Sequence, residues 1–212
     1  MIMIDKYYSV TGECVTQKII EKSKFITTSR HVESEEQARE FITEISKKYS
    51  DATHNCHAYI PDITGNFPRF SDDGEPQGTA GMPMLEVLKN KNLVQTAVVV
   101  TRYFGGVKLG AGGLVRAYSG CTAENLSVAR IAEFQVCTES MLSCDYPLAD
   151  ALLRGITEQG ASVVRVEYSD RVNAVVAVKK SEEEKFLNGI INRLNGRLEV
   201  NKIREYYFPF EI

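Results

Sequence analysis

The sequence predicts an α+β chain of two domains, residues 1–132 and 133–212, from three observations. After position 132 the apolar periodicities run strand, helix, strand, strand, helix, strand, the βαββαβ order of a ferredoxin-like sandwich. Before it, β-rich runs alternate with one strongly amphipathic helix and two long loops. With 43% of its 212 residues hydrophobic, the chain can bury a proper core.

In chain order, residues 15–20 and 25–30 read as strands joined by the polar turn Glu21-Lys22-Ser23-Lys24. Ser34 with Gln37 three residues later is a capping box, and Ala38, Phe41, Ile42, Ile45 and Tyr49 share one helical face. Residues 53–60 read as a strand with His54, Cys56, Ala58 and Ile60 on one face and Asn55, His57 and Tyr59 on the other. The two histidines point apart, no other Cys/His cluster supplies ligands, and no structural metal is expected. Pro83 belongs in the first turn of a helix ending near Asn90. Residues 93–101 form a buried-strand pattern. A helix follows from about Gly113 to Arg130, with Val115, Tyr118, Thr122, Leu126 and Ala129 facing the core and Arg116 off that stripe.

The second domain reads as strand 133–145, helix 148–159, strands 161–168 and 172–179, helix 182–195 and strand 198–208. Gly160 and Gly196 sit where helix C-caps belong, Ser181 with Glu184 is a second capping box, and Phe186, Leu187, Ile190, Ile191 and Leu194 form an apolar stripe. Although RNA-recognition motifs share this architecture, their central strands carry aromatic residues for base stacking, and 172–178 has none. The domain therefore reads as a protein- or ribosome-contact module. Tyr206, Tyr207, Phe208 and Phe210 are expected in the core or at an edge contact.

Five cysteines without paired spacing imply reduced thiols, and neither a membrane span nor a signal peptide is evident, so a soluble cytoplasmic protein is expected. Basic and acidic residues number 15 and 15 before Glu133, and 10 and 13 from it onward. Any nucleic-acid binding must then use a local patch.

Two loops carry the chemistry. Residues 102–118, RYFGGVKLGAGGLVRAY, combine five glycines (Gly105, Gly106, Gly110, Gly112, Gly113) with three cations (Arg102, Lys108, Arg116) and no acid, and they lead from a strand into a helix. Free N–H groups at Gly112, Gly113 and Leu114, with the positive end of the helix dipole, suit an anion. The competing reading is close helix-to-sheet packing. Residues 70–81 place Asp72, Asp73 and Glu75 among Gly74, Pro76, Gly78, Thr79 and Gly81. These carboxylates either hold Mg²⁺, orient the cations of the later loop, or stabilise a turn by solvation or by pairing with Arg102 and Arg116.

SDDGEPQGTAGMP at 71–83 and RYFGGVKLGAGGLVRAY at 102–118, with EKSKFI at 21–26 and HNCHAY at 54–59, resemble the YigZ/IMPACT family over essentially the whole chain. The matching loop positions include Asp72, Asp73, Gly74, Glu75, Gly78, Thr79, Arg102, Tyr103, Gly105, Gly106, Lys108, Gly110, Gly112, Gly113 and Arg116. The resemblance implies an N-terminal domain like the second domain of a small-subunit ribosomal protein, a βαβ-containing sandwich, and a C-terminal domain similar to a ferredoxin-like domain of elongation factor G. It also implies eukaryotic relatives that regulate translation through an additional domain absent from this sequence.

Three readings follow. The first is a non-enzymatic, translation-associated protein whose glycine loops bind RNA phosphate, a ribosome or a translation-related protein, without cofactor or metal. The second is a phosphate- or nucleotide-binding enzyme related to small-molecule kinases. It lacks GKS, GKT or a full GxGxxG, and no base adjoins an activated nucleophile. The third is structural, with Asp72 or Asp73 bonded to Arg102 or Arg116.

Overall fold

A computed structural model describes residues 4–211. The chain divides into two compact units, one ending at Glu133 and joined by Glu211, the other spanning Phe134–Phe210. The first unit contains β1 (Lys6–Val10), β2 (Glu13–Ile20), β3 (Ser23–His31), α1 (Glu35–Lys48), β4 (His54–Ile60), β5 (Arg69–Ser71), α2 (Gly81–Asn90), β6 (Thr96–Tyr103) and α3 (Gly110–Val128).

Its main sheet runs β2-β3-β6-β4-β5 with every neighbour antiparallel. Because β3 and β4 both oppose β6, they are parallel to each other, and α1 connects them. β6 is central and buried from Thr96 to Arg102, which suits its unbroken valine run. Strand alternation gives it two cores. Val98 and Val100 pack with Cys56, Ala58 and residues of α2 and α3, whereas Ala97 and Val99 pack with Tyr59 against Ala38, Phe41 and Ile45 of α1.

Local chemistry accounts for the ends of these elements. Ser34 Oγ accepts the Gln37 N–H (3.2 Å), while the Gln37 side chain reaches one residue beyond a standard capping box to accept the Glu33 N–H (2.8 Å). Ile20 pairs with Ser23, so the hairpin turn is Glu21-Lys22 alone, with φ of 45° and 65°. Such turns usually advertise themselves with Asn-Gly. Here tertiary contact holds the shape, since Gly105 lies directly against the Lys22 carbonyl.

Several boundaries differ from the sequence expectation. β6 begins at Thr96 because Asn92 and Gln95 take φ of 53° and 48°, and Leu93 instead bridges to Tyr8. α3 begins at Gly110, three residues before the expected start, so Gly110, Gly112 and Gly113 fall in its first turn while Gly105 and Gly106 stay in the loop. Its buried face is Leu114, Ala117, Tyr118, Cys121, Thr122, Asn125 and Leu126, and Val115 is 37% exposed. The polar Asn125 obscured that stripe. Its Nδ2 is buried with acceptors around it, the Cys14 carbonyl (3.2 Å), Thr16 Oγ1 (3.2 Å) and the Thr27 carbonyl (3.1 Å), while its Oδ1 is buried without a partner.

The second unit is carried by β7 (Ile131–Cys144), which begins in the first unit, then α4 (Ala149–Glu158), β8 (Ser162–Tyr168), β9 (Val172–Lys179), α5 (Glu183–Arg193) and β10 (Glu199–Glu211). The order β8-β9-β7-β10 is that of a ferredoxin-like sheet. Leu142, Val172, Ala174 and Val176 pack against Leu152 and Ile156 of α4 and Phe186 and Ile190 of α5. Ser181 does not cap α5, because a 3₁₀ turn over Lys180–Glu182 carries the chain past it. Tyr206, Phe208 and Phe210 form a half-buried row along one face of β10, with ring centroids 6.1 and 5.3 Å apart.

The Gly105 contact generates the first prediction. A Cβ there would overlap the Lys22 backbone, whereas at Gly106 it would meet open space but keep φ of 85°. Gly105→Ala is expected to lose about 1–3 kcal/mol or more, as overpacking against fixed backbone does. Gly106→Ala should lose only roughly 1–2 kcal/mol of left-handed strain. Urea melts showing equal midpoints would contradict the close approach.

Candidate functional site

The pairing of β6 puts three side chains in one row. Phe25 of β3 and His54 of β4 are both register partners of Arg102, so all three face α2 and α3. Arg102 is 4% exposed, and its guanidinium carbon lies 5.5 Å from the ring centroids of both Phe25 and Phe104. Its Nη1 donates to Glu75 Oε1 (2.6 Å) and Nη2 to Ser23 Oγ (3.3 Å). The Tyr118 hydroxyl donates to the same Glu75 oxygen (2.8 Å), and His54 Nε2 lies 3.9 Å from Glu75 Oε2. Arg102 Nε is buried without a hydrogen-bond partner.

Below Glu75 is Cys56, whose thiol donates to the Asp72 carbonyl (2.9 Å). Burial pushes this thiol up to about 12. It therefore stays protonated at neutral pH and is no nucleophile. Burial, with Cys56 and Glu75 adding to it, also pushes the Tyr118 phenol up and keeps it a donor.

The three acids of the first loop have diverging tasks, contrary to a shared Mg²⁺ site or to pairing of Asp72 or Asp73 with the arginines. Asp72 accepts the N–H groups of Gly78 (2.8 Å), Ala80 (3.0 Å) and Gly81 (2.8 Å), fastening the loop to the start of α2. Asp73 accepts the Asn55 N–H (2.5 Å), and its carbonyl receives the His54 Nδ1–H (2.7 Å). Only Glu75 reaches an arginine. Among the described residues, no group of three or more His, Cys, Asp or Glu is arranged to hold a metal. Gly74 packs on the His54 ring, and the Thr79 hydroxyl donates to the Pro76 carbonyl (2.6 Å).

Between the loops lies a cleft of about 330 Å³ lined by Glu75, Pro76, Arg102, Phe104, Lys108, Leu109, Gly110, Ala111 and Leu114. The start of α3 opens onto it, with no acid in its first turn and no side-chain cap. The free amides thus begin at Gly110, earlier than the sequence suggests. Of the fifteen expected site residues, Glu75, Arg102, Lys108 and Gly110 line this cleft. Gly113 and Arg116 line an adjoining depression with Ile20 and Glu21, and Lys108 and Leu109 border both hollows. Gly112 contacts the Arg116 guanidinium, and Gly105 and Gly106 shape the turn. Tyr103 follows Arg102 on the strand, so it faces away, and its hydroxyl donates to Asp51 (2.8 Å). Phe104, which the loop pattern did not single out, does line the cleft. Its signal was an apolar residue two positions after the buried arginine, ahead of a glycine pair.

Two predictions follow. Glu75→Ala leaves Arg102 charged and buried, and a loss of about 3–5 kcal/mol is expected, with Arg102→Met in the same chain restoring part of it. A double-mutant cycle with strictly additive losses would remove the pair from this role. For Cys56, the folded chain keeps the proton after the unfolded chain has lost it at about pH 8.5. Stability should hold below that pH and fall as pH climbs toward 12, and more weakly in Cys56→Ala. Urea melts at pH 8, 9 and 10 on both proteins measure the difference.

Comparison with known proteins agrees with this arrangement of the two signature loops in one unit. The model of the Impact N-terminal domain matches residues 21–126, and that of a domain of unknown function, DUF1949, matches residues 142–197. The IMPACT family member YvyE of Bacillus subtilis is 38% identical over 94% of this chain and 92% of its own length. The IMPACT family member YigZ of Escherichia coli is 33% identical over 88% and 92%. A crystal structure described as that of a hypothetical protein superposes with a TM-score of 0.62 at 29% identity, covering 95% of this chain and 99% of that one. With two relatives above 30% identity along nearly their full lengths and a matching N-terminal domain, the chain belongs to the IMPACT family.

Proposed function

We propose that this protein is a non-enzymatic, cytoplasmic binding protein of the translation apparatus that holds an RNA phosphate in the cleft between its glycine loops. The observation that carries the reading is the uncapped start of α3, which opens onto the same cleft as Lys108 and the buried Arg102. A helix start of small residues lets a phosphate oxygen approach the backbone amides, and the dipole favours the negative charge.

The translation setting rests on family membership and on the ferredoxin-like second unit. Five unpaired cysteines suit a reducing compartment. No helix among the described residues is long and apolar enough to cross a membrane. Against a kinase-like enzyme stand the protonated Cys56 and Tyr118 and the commitment of Glu75 to Arg102, which leave no free base beside a nucleophile.

Lys108 is the variant to test, because truncating Arg102 would strand Glu75 and confuse binding with unfolding. In filter binding to ribosomal RNA, wild-type affinity should fall with salt, and Lys108→Ala should lower the slope of log K against log salt by roughly 0.7–0.9, the value for one phosphate contact. Arg116→Ala, outside the cleft, should have the smaller effect. Salt-independent binding, or binding unchanged in Lys108→Ala, would dismiss the phosphate site.

A further inference from the structure

Phe104 is the feature of this cleft that an anion alone does not explain. The residue is 46% exposed although the backbone around it is fixed. Its N–H donates to Thr53 Oγ1 (3.0 Å), and the next N–H, of Gly105, donates to Ser23 Oγ (3.2 Å). Gly105 is further held against the Lys22 carbonyl. The ring thus lines the cleft from a backbone held at two successive amides, with the Arg102 guanidinium over one of its faces and the other left for a planar group. A pre-positioned aromatic ring loses little freedom when a planar group stacks on it.

The remaining lining sets the size and charge of the occupant. Pro76, Leu109, Ala111 and Leu114 add apolar wall, and about 330 Å³ is at the small end of ligand pockets, which span roughly 300–1,000 Å³. Glu75 offsets the Arg102 charge, leaving Lys108 and the helix start, worth about half a charge, as the net positive sources. One phosphodiester matches that balance, and a triphosphate does not.

We propose that the cleft takes a single nucleotide, its phosphate on the start of α3 beside Lys108 and its base stacked on Phe104, either free or as one unit of a single-stranded RNA. This rests on the phosphate reading above and adds the base. Stacking of a base on an aromatic side chain is sequence-tolerant, so the site selects a nucleotide without choosing among the four bases.

The test is titration of the full chain with the four nucleoside 5′-monophosphates, ribose 5-phosphate, ATP with Mg²⁺ and a single-stranded RNA pentamer. The proteins are wild type, Phe104→Ala, Phe104→Tyr and Lys108→Ala. The monophosphates should bind about 5- to 150-fold more tightly than ribose 5-phosphate, the range for one stacked base. Phe104→Ala should erase that difference and Phe104→Tyr should keep it, while Lys108→Ala weakens every phosphate ligand alike. A pentamer that binds far better than any monophosphate identifies RNA as the source, and equal affinities identify the free nucleotide. If monophosphates and ribose 5-phosphate bind equally and Phe104→Ala changes nothing, the base site is overturned while the phosphate site stands. Binding of no ligand at low salt overturns both, and ATP binding above the monophosphates overturns the single-phosphate charge balance.

Discussion

The ion pair between Glu75 and Arg102 is the constraint on which the first unit depends. Each side chain is almost wholly buried, and a charge in that position without its partner costs several kcal/mol. The pair can therefore form only if the loop after β5 and the end of β6 arrive together, and each further contact at the site is a consequence of that arrival. Tyr118 reaches Glu75 from α3, Ser23 reaches Arg102 from β3, and His54 lies beside both from β4. One carboxylate and one guanidinium thus register a loop, a helix and three strands against one another.

Burying that pair is expensive relative to an apolar core, and the surrounding sequence limits the cost. The guanidinium lies over the Phe25 and Phe104 rings, and the Phe25 and Tyr118 rings meet edge to face with centroids 5.5 Å apart. Asp72 and Asp73 use their carboxylates on backbone N–H groups, so the strained turn at Asp73 and Gly74, with φ of 42° and 83°, is held without calling on Glu75. The acids close together in sequence serve separate ends: two make the loop, and the third binds it to the sheet.

That division explains what the sequence could and could not disclose. Periodicity is a property of each element alone, so the strand faces of 54–60, the buried face of α1 and the βαββαβ order of the second unit were legible from spacing. The glycines likewise marked a helix start, although the start lies at Gly110, because glycine spacing alone does not separate a loop from a first helical turn. Partner choice was not legible. Asp72, Asp73 and Glu75 are chemically alike, and which one meets Arg102 depends on a backbone path with two residues at positive φ between them. Arg116 looked equivalent to Arg102 for the same reason, yet it lines the neighbouring depression beside Ile20 and Glu21, which Lys108 borders as well. Phe104 carried no polar signature and became visible only once the fixed turn held its ring against Arg102.

Most residues of the two signature motifs therefore shape the loops and do not line the cleft. Asp72, Asp73 and Gly78 fix a loop, Gly105 admits the Lys22 carbonyl, and Tyr103 points to the opposite side of the sheet. What they build is a surface of bare amides, one lysine and one ring, held rigid by a core that contains its own charge pair. The amides and the ring of that surface are held by the backbone contacts around them. Glu75, Tyr118 and Cys56, three ionisable groups drawn from a loop, a helix and a strand, are committed to holding the two loops together.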